Sequence, residues 1–202
     1  MTLRIMIAED QAMVRQALVA LLGLEPDIEV VAQAASGDEA VAMVQKHQPD
    51  VAVLDIEMPG RTGIEVARQL RADDYGGKIV IVTTFGRPGY LRAAMAAGAS
   101  GFLLKDAPAA QLADAIRRVA KGERVVDPDL AAAALAEGDS PLTSRETDVL
   151  SAAAGHDAIV DIADRLHLSP GTVRNHLSAA MHKLGARNRA EAVQIAQRKG
   201  WL

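Results

Sequence analysis

The chain has 202 residues, half of them apolar, with 2% aromatic residues, no Cys and a net charge of −4. That length admits one large domain or two small ones, and the missing thiols exclude disulfides, thiolate metal sites and thiol catalysis while agreeing with a reducing compartment. So few aromatic side chains leave little to stack on unpaired bases, which argues against recognition of single strands.

The charge is unevenly spread. Residues 1–139 hold 14 Lys and Arg against 20 Asp and Glu, whereas residues 140–202 hold 8 against 6, together with four of the five histidines. An acidic module joined to a mildly basic one suggests that the second part meets nucleic acid. No apolar run approaches the roughly 18 residues that span a bilayer, and Met1-Thr2-Leu3-Arg4 leads straight into a strand-like segment. A soluble, cytoplasmic protein with no membrane partner is expected.

In chain order, Leu3–Ala8, Ile28–Gln33, Val51–Asp55, Lys78–Thr83 and Gly101–Lys105 read as strands. Helical patterns alternate with them at about Gln11–Leu24, Ser36–His47, Gly63–Arg71, Pro88–Ala97 and Pro108–Lys121. Val-Ala-Val-Leu at 51–54 and Ile-Val-Ile-Val at 79–82 are apolar at consecutive positions, as in strands covered on both faces of a parallel sheet. The expectation is an α/β domain with a doubly wound, five-stranded parallel sheet over residues 1–122, with its ligand site at the carboxyl ends of the strands.

After Gly122 the pattern becomes helical only, with a short Ala-rich helix at Asp127–Ala136 and breakers at Glu137-Gly138-Asp139-Ser140-Pro141. Residues 123–141 are expected to be a helical linker and residues 142–202 a small all-α domain. Thr143 with Glu146 forms a capping-box pattern for a helix to about Ala154. Helices at about Ile159–Leu166, from Ser169-Pro170 to Leu184 and from Asn188 to Lys199 complete it.

Glu9 and Asp10 follow the first strand, and Asp55 ends the third. Neighbouring carboxylates repel, so the cluster favours a hard divalent cation, and Mg²⁺ with few protein ligands suits it. A carboxylate can also be a nucleophile that forms an aspartyl phosphate. Thr83 and Lys105 end the fourth and fifth strands, so a hydroxyl and an ammonium can reach the same oxygens. Each residue taken singly could be an ordinary solvated side chain; five suitable ones at strand ends are a constellation.

Ile162-Ala163 to Thr172-Val173 has the pattern of a helix-turn-helix, with a turn through His167-Leu168-Ser169. The second helix would turn Val173, Leu177 and Leu184 inward and Arg174, Asn175 and Ser178 outward. Arg can pair with guanine and Asn with adenine, whereas Thr172, Lys183 and the helix N-terminus suit phosphates. An ordinary helical hairpin with solvated polar residues is the alternative.

Residues 3–121 resemble the receiver domain of two-component response regulators, through Glu9-Asp10, Asp55 with Met58-Pro59-Gly60, Thr83 and Lys105 in order. The resemblance implies Mg²⁺ binding by Glu9, Asp10, Asp55 and the backbone carbonyl of Glu57, phosphoacceptance by Asp55, phosphoryl contacts from Thr83 and Lys105, and a switch role for Phe102. Asp106 stands where many receivers have proline, a feature shared with the related DNA-binding subfamily.

Leu142-Thr143-Ser144-Arg145-Glu146, Ile162-Ala163, Leu168-Ser169, Thr172-Val173, His176, Lys183-Leu184 and Arg189-Ala190-Glu191-Ala192 together resemble the LuxR/NarL-type DNA-binding domain. His156 departs from a usual Gly, and Val160 from a usual basic or polar residue. At Asp55–Gly63 and Thr83–Tyr90 the chain is most similar to the subgroup containing a thermosensing regulator of a lipid desaturase. The resemblance implies phosphorylation by a sensor histidine kinase, dimerisation on phosphorylation and sequence-specific binding of double-stranded DNA to regulate transcription. Enzymatic activity would be limited to self-phosphorylation from a phosphodonor and autodephosphorylation.

Two other functions remain open on the residues alone. A Mg²⁺-dependent aspartyl-phosphate phosphatase would use the same carboxylates, but no separate general acid follows Asp55. A sensor of a small lipid signal would share the second domain but needs a ligand-binding first one. P-loop, Gly-x-Gly-x-x-Gly, His-Glu-x-x-His and Gly-x-Ser-x-Gly patterns are absent, which argues against kinase, dehydrogenase, metalloprotease and hydrolase activity.

Overall fold

The computed structural model describes residues 2–84, 86–136, 140–155 and 157–202. Two compact units divide the chain, one formed by residues up to Gly86 with Ala94–Ala131 and holding the sheet, the other formed by Arg87–Ala93 with Ala132–Leu202.

Up to Ala120 the chain alternates β1 (Leu3–Ala8), α1 (Ala12–Leu22), β2 (Ile28–Ala34), α2 (Gly37–His47), β3 (Val51–Leu54), α3 (Gly63–Ala72), β4 (Lys78–Thr83), α4 (Pro88–Ala96), β5 (Gly101–Leu104) and α5 (Ala109–Ala120). The strands pair in parallel in the order β2-β1-β3-β4-β5, and β6 (Val125–Val126) adds a sixth beyond β5. The sheet is therefore six-stranded where five strands were expected. A two-residue strand is too short to show a period, and it gains its place by pairing Gly101 with Val125 and Phe102 with Val126. Other ends agree with expectation to within one or two residues, the scatter typical of helix and strand termini.

Both faces of the sheet are covered, so its strands bury consecutive residues. Every residue of β3 is buried. Ile5, Ile7, Val51, Val53, Val80 and Val82 pack with Leu112, Ile116 and Val119 of α5 in one core layer. Met6, Ala8, Leu54, Ile79 and Ile81, the alternate residues of the same strands, are also buried. Local signals set the helix starts: Ser36 accepts from the Glu39 amide, and Thr62 with Glu65 makes a reciprocal capping box.

The second unit contains α7 (Ser144–Ala154), α8 (Ile159–Leu166), α9 (Pro170–Leu184) and α10 (Arg189–Lys199), while α6 (Pro128–Ala136) runs across the division. Thr143, Ser169 and Asn188 cap α7, α9 and α10, and Gly185 ends α9 in the left-handed region with φ of 64°. Val149, Leu150, Ile162, Ala163, Val173, Leu177, Ala180 and Ala192 form its core. The linker residues Glu137-Gly138-Asp139, and the departure at His156, lie outside the described residues.

Candidate functional site

The sheet order reverses between β1 and β3, whose neighbours β2 and β4 continue on opposite sides. Loops leaving two such strands diverge to opposite faces and open a crevice at their carboxyl ends. Glu9 and Asp10 leave β1 there, and Asp55 leaves β3. Main-chain hydrogen bonds hold both loops down, Glu9 N to Ala34 O at 3.0 Å and Asp55 N to Ala8 O at 2.9 Å. One carboxylate oxygen from each of Glu9, Asp10 and Asp55 lies within 4.8 Å of the others.

Glu9 is 1% and Asp55 5% exposed, whereas Asp10 faces solvent. Two buried carboxylates need a cation. Lys105 supplies one from the end of β5, its Nζ 2.6 Å from Glu9 Oε2 and 3.0 Å from Asp55 Oδ2. Burial raises the pKa of Glu9 and the charge of Asp55 adds to it, against the opposing effect of Lys105. Burial would lower that of Lys105, but its hydrogen bonds and charge interactions with both carboxylates outweigh this and raise it. Lys105 is therefore a firmly held ammonium, not a proton donor at neutral pH.

Lys105 is itself aligned by its amide, which donates to Thr83 O at 2.8 Å. Thr83 is buried at the end of β4, and Phe102, fully buried in β5, sits beside Ile81 in the register. Asp55 Oδ1 accepts from the Ile56 amide at 2.8 Å, which orients the carboxylate. Glu57 follows on the exposed part of the loop, where its main-chain carbonyl could serve a cation.

Two contributors were not singled out from the sequence. Arg15 of α1 reaches back to the β1–α1 loop, Nη1 donating to the carbonyl of Glu9 at 2.5 Å and of Asp10 at 3.4 Å. Its signal would have been a cation about one and a half helical turns beyond an acidic pair. At Gly63, an added Cβ would lie 1.9 Å from the Asp55 carbonyl oxygen, so α3 can start beside the acidic loop only with glycine there.

In the helical unit, α8 ends at His167 in the left-handed region with φ of 53°, and Ser169 restarts the chain as α9. Ser169 Oγ accepts from the Thr172 amide at 3.0 Å and lies 2.8 Å from Thr172 Oγ1. Val173 and Leu177 face the core, with Leu184 partly buried against it, while Arg174, Asn175 and Ser178 are exposed. That is the division expected of a helix that enters the major groove. Lys183, expected to contact DNA phosphates, has its Nζ 2.7 Å from Glu146 Oε2. Val160 is 55% exposed on α8. Among the described residues no helix is long and apolar enough to cross a membrane.

Residues 5–117 match the response regulator receiver domain, and residues 140–196 match the bacterial regulatory proteins of the luxR family. The chain is 48% identical over 198 residues to the transcriptional regulatory protein DesR of Bacillus subtilis (strain 168), covering 98% of each protein. It is 42% identical over 200 residues to the response regulator RamR of Streptomyces coelicolor (strain ATCC BAA-471 / A3(2) / M145), covering 98% of this chain and 97% of that one. The crystal structure of the response regulator ChrA of a heme-sensing two-component system is similar at 34% identity and a TM-score of 0.59, over 100% of this chain and 99% of that one. The chain thus belongs to the LuxR/NarL-type response regulators, transcriptional regulators that join a receiver domain to a LuxR-type DNA-binding domain.

Proposed function

We propose that Asp55 accepts a phosphoryl group from a sensor histidine kinase and that this modification controls DNA binding in the cytoplasm. The observation that carries this is the grip of Lys105 on Asp55 and Glu9 at the sheet's reversal point. An Asp55 oxygen forms the new bond to phosphorus as the donor's bond to nitrogen breaks, and the histidine side chain leaves. Lys105 and the Thr83 hydroxyl then serve the phosphoryl oxygens. Glu9, Asp10, Asp55 and the Glu57 carbonyl would hold Mg²⁺, which when bound offsets charge on the transferring group. The same residues permit self-phosphorylation from a small phosphodonor and autodephosphorylation.

Drawing Thr83 toward the phosphoryl group and repacking Phe102 would alter the receiver's outer surface and favour a homodimer. On α1 and just beyond its end, Met13, Leu21 and Leu24 are 82%, 44% and 79% exposed, apolar surface that pairing would cover. Two recognition helices then address two half-sites, with Arg174, Asn175 and Ser178 reading bases and Thr172 with the N-terminus of α9 holding phosphate. The domains assigned are the receiver at 1–122, a helical linker at 123–141, whose Val125–Val126 pair with the receiver sheet as β6, and the DNA-binding domain at 142–202. No observation favours a phosphatase acting on external substrates, and the matched relatives are transcriptional regulators.

Intact-mass measurement after incubation with acetyl phosphate and Mg²⁺ tests the site. The wild type gains one phosphoryl group and Asp55→Asn gains none; equal adducts on both would move the acceptor elsewhere.

A further inference from the structure

Glu146 is the third residue of α7 and completes its capping box by accepting from the Thr143 amide at 2.7 Å. A capping carboxylate at a helix start commonly faces water, but Glu146 is only 6% exposed. The oxygen that takes the Thr143 amide, Oε2, also takes Lys183 Nζ at 2.7 Å from the last turn of α9, 37 residues further along the chain. One buried oxygen thus fastens the first turn of α7 to the final turn of α9. The hydrogen bond from Lys183, followed by those from Thr143, holds the Glu146 carboxyl below the ordinary glutamate range against the effect of burial.

Moving Lys183 onto a DNA phosphate would leave Glu146 charged, buried and short of its cation, which is unfavourable. The base-facing residues Arg174, Asn175 and Ser178 lie toward the opposite end of α9, and their approach to the groove depends on how the whole helix is seated. We propose that Lys183 is a positioning residue for the recognition helix, held by Glu146, and not a contact to the DNA backbone. The proposal rests on α9 being the recognition helix.

The test uses the full chain and a duplex recovered by selection from a random library, with affinity measured over a salt series for Lys183→Met, Glu146→Gln, the double variant and Lys183→Arg. Each single variant should bind on the order of tenfold more weakly, and the double variant no more weakly than either, because one interaction is lost in all three. The slope of log affinity against log salt should stay at the wild-type value, and Lys183→Arg should restore most of the affinity. A slope reduced by about 0.9 in Lys183→Met, with Glu146→Gln binding like wild type, would mark a phosphate contact and overturn the proposal. If Lys183→Met does not fold, Glu146→Gln decides, since it keeps an acceptor for the Thr143 amide: weaker binding at unchanged slope supports the role, and wild-type affinity overturns it. A wild-type chain that binds no duplex removes the recognition-helix assignment and this role together, and that result is visible before any variant is compared.

Discussion

The receiver and the DNA-binding unit treat the side chains proposed to do their work in opposite ways. In the receiver, Glu9, Asp55 and Thr83 are buried and Lys105 nearly so, and Lys105 bridges the carboxylates of Glu9 and Asp55. On α9, the proposed base readers Arg174, Asn175 and Ser178 face solvent, and burial is reserved for Val173, Leu177 and Ala180 behind them. A chemical site gains from low dielectric and fixed geometry, whereas a reading surface must stay wet until its partner arrives. Substitutions in the first should therefore disturb folding and chemistry together, and substitutions in the second should change binding alone.

The largest expected effect is at Gly63. Gly63→Ala must push the α3 start away from the Asp55 carbonyl and should destabilise the receiver by about 3 kcal/mol. Trp201, the single tryptophan, packs in the helical unit and gives that unit its own signal. Far-UV circular dichroism should show the receiver melting earlier while the Trp201 fluorescence transition stays in place; two transitions that fall together would erase the comparison.

A change on the wet face should do the reverse. Asn175→Ala should leave both transitions unaltered but cost about 1–3 kcal/mol at one cognate base and relax the preference there. Site selection from a random duplex library checks this, and an unchanged selected sequence would mean that α9 turns another face to the DNA.

Glu146 belongs to both descriptions, a buried carboxylate of the DNA-binding unit paired with the partly exposed Lys183. Its pKa is lowered from the ordinary value of 4.5, first by the Lys183 hydrogen bond. A depressed folded-state value means that the stabilisation is full above pH 4.5 and is lost as pH falls through the folded value. The Trp201 transition should therefore weaken on acidification below that point, and Glu146→Gln should flatten the dependence. A variant with the same pH profile as wild type would show that the pair contributes nothing to folding.

Much of this arrangement was legible in the sequence because chemistry limits the residue types that can stand at a strand end. Glu9, Asp10, Asp55, Thr83 and Lys105 were visible as a set, and the structure brings Lys105 onto Glu9 and Asp55 directly. Helix starts at Thr143, Ser169 and Asn188 were equally open to view, since caps are local. What escaped was non-local or too short. The Val125–Val126 strand exists only by pairing with β5, and Arg15 acts on main-chain carbonyls that any residue would carry. The pairing of Lys183 with Glu146 escaped as well, because the two lie 37 residues apart and Glu146 had already been accounted for as a cap.

The proposed function requires that the buried site govern the wet one. It is tested most directly by fluorescence anisotropy of a selected duplex, titrated with wild type and Asp55→Asn, each with and without acetyl phosphate and Mg²⁺. Treatment should tighten binding by wild type on the order of tenfold, within the usual range for coupled sites, and leave Asp55→Asn unchanged. The same gain in both proteins, or none in a wild type carrying its phosphoryl group, would contradict it.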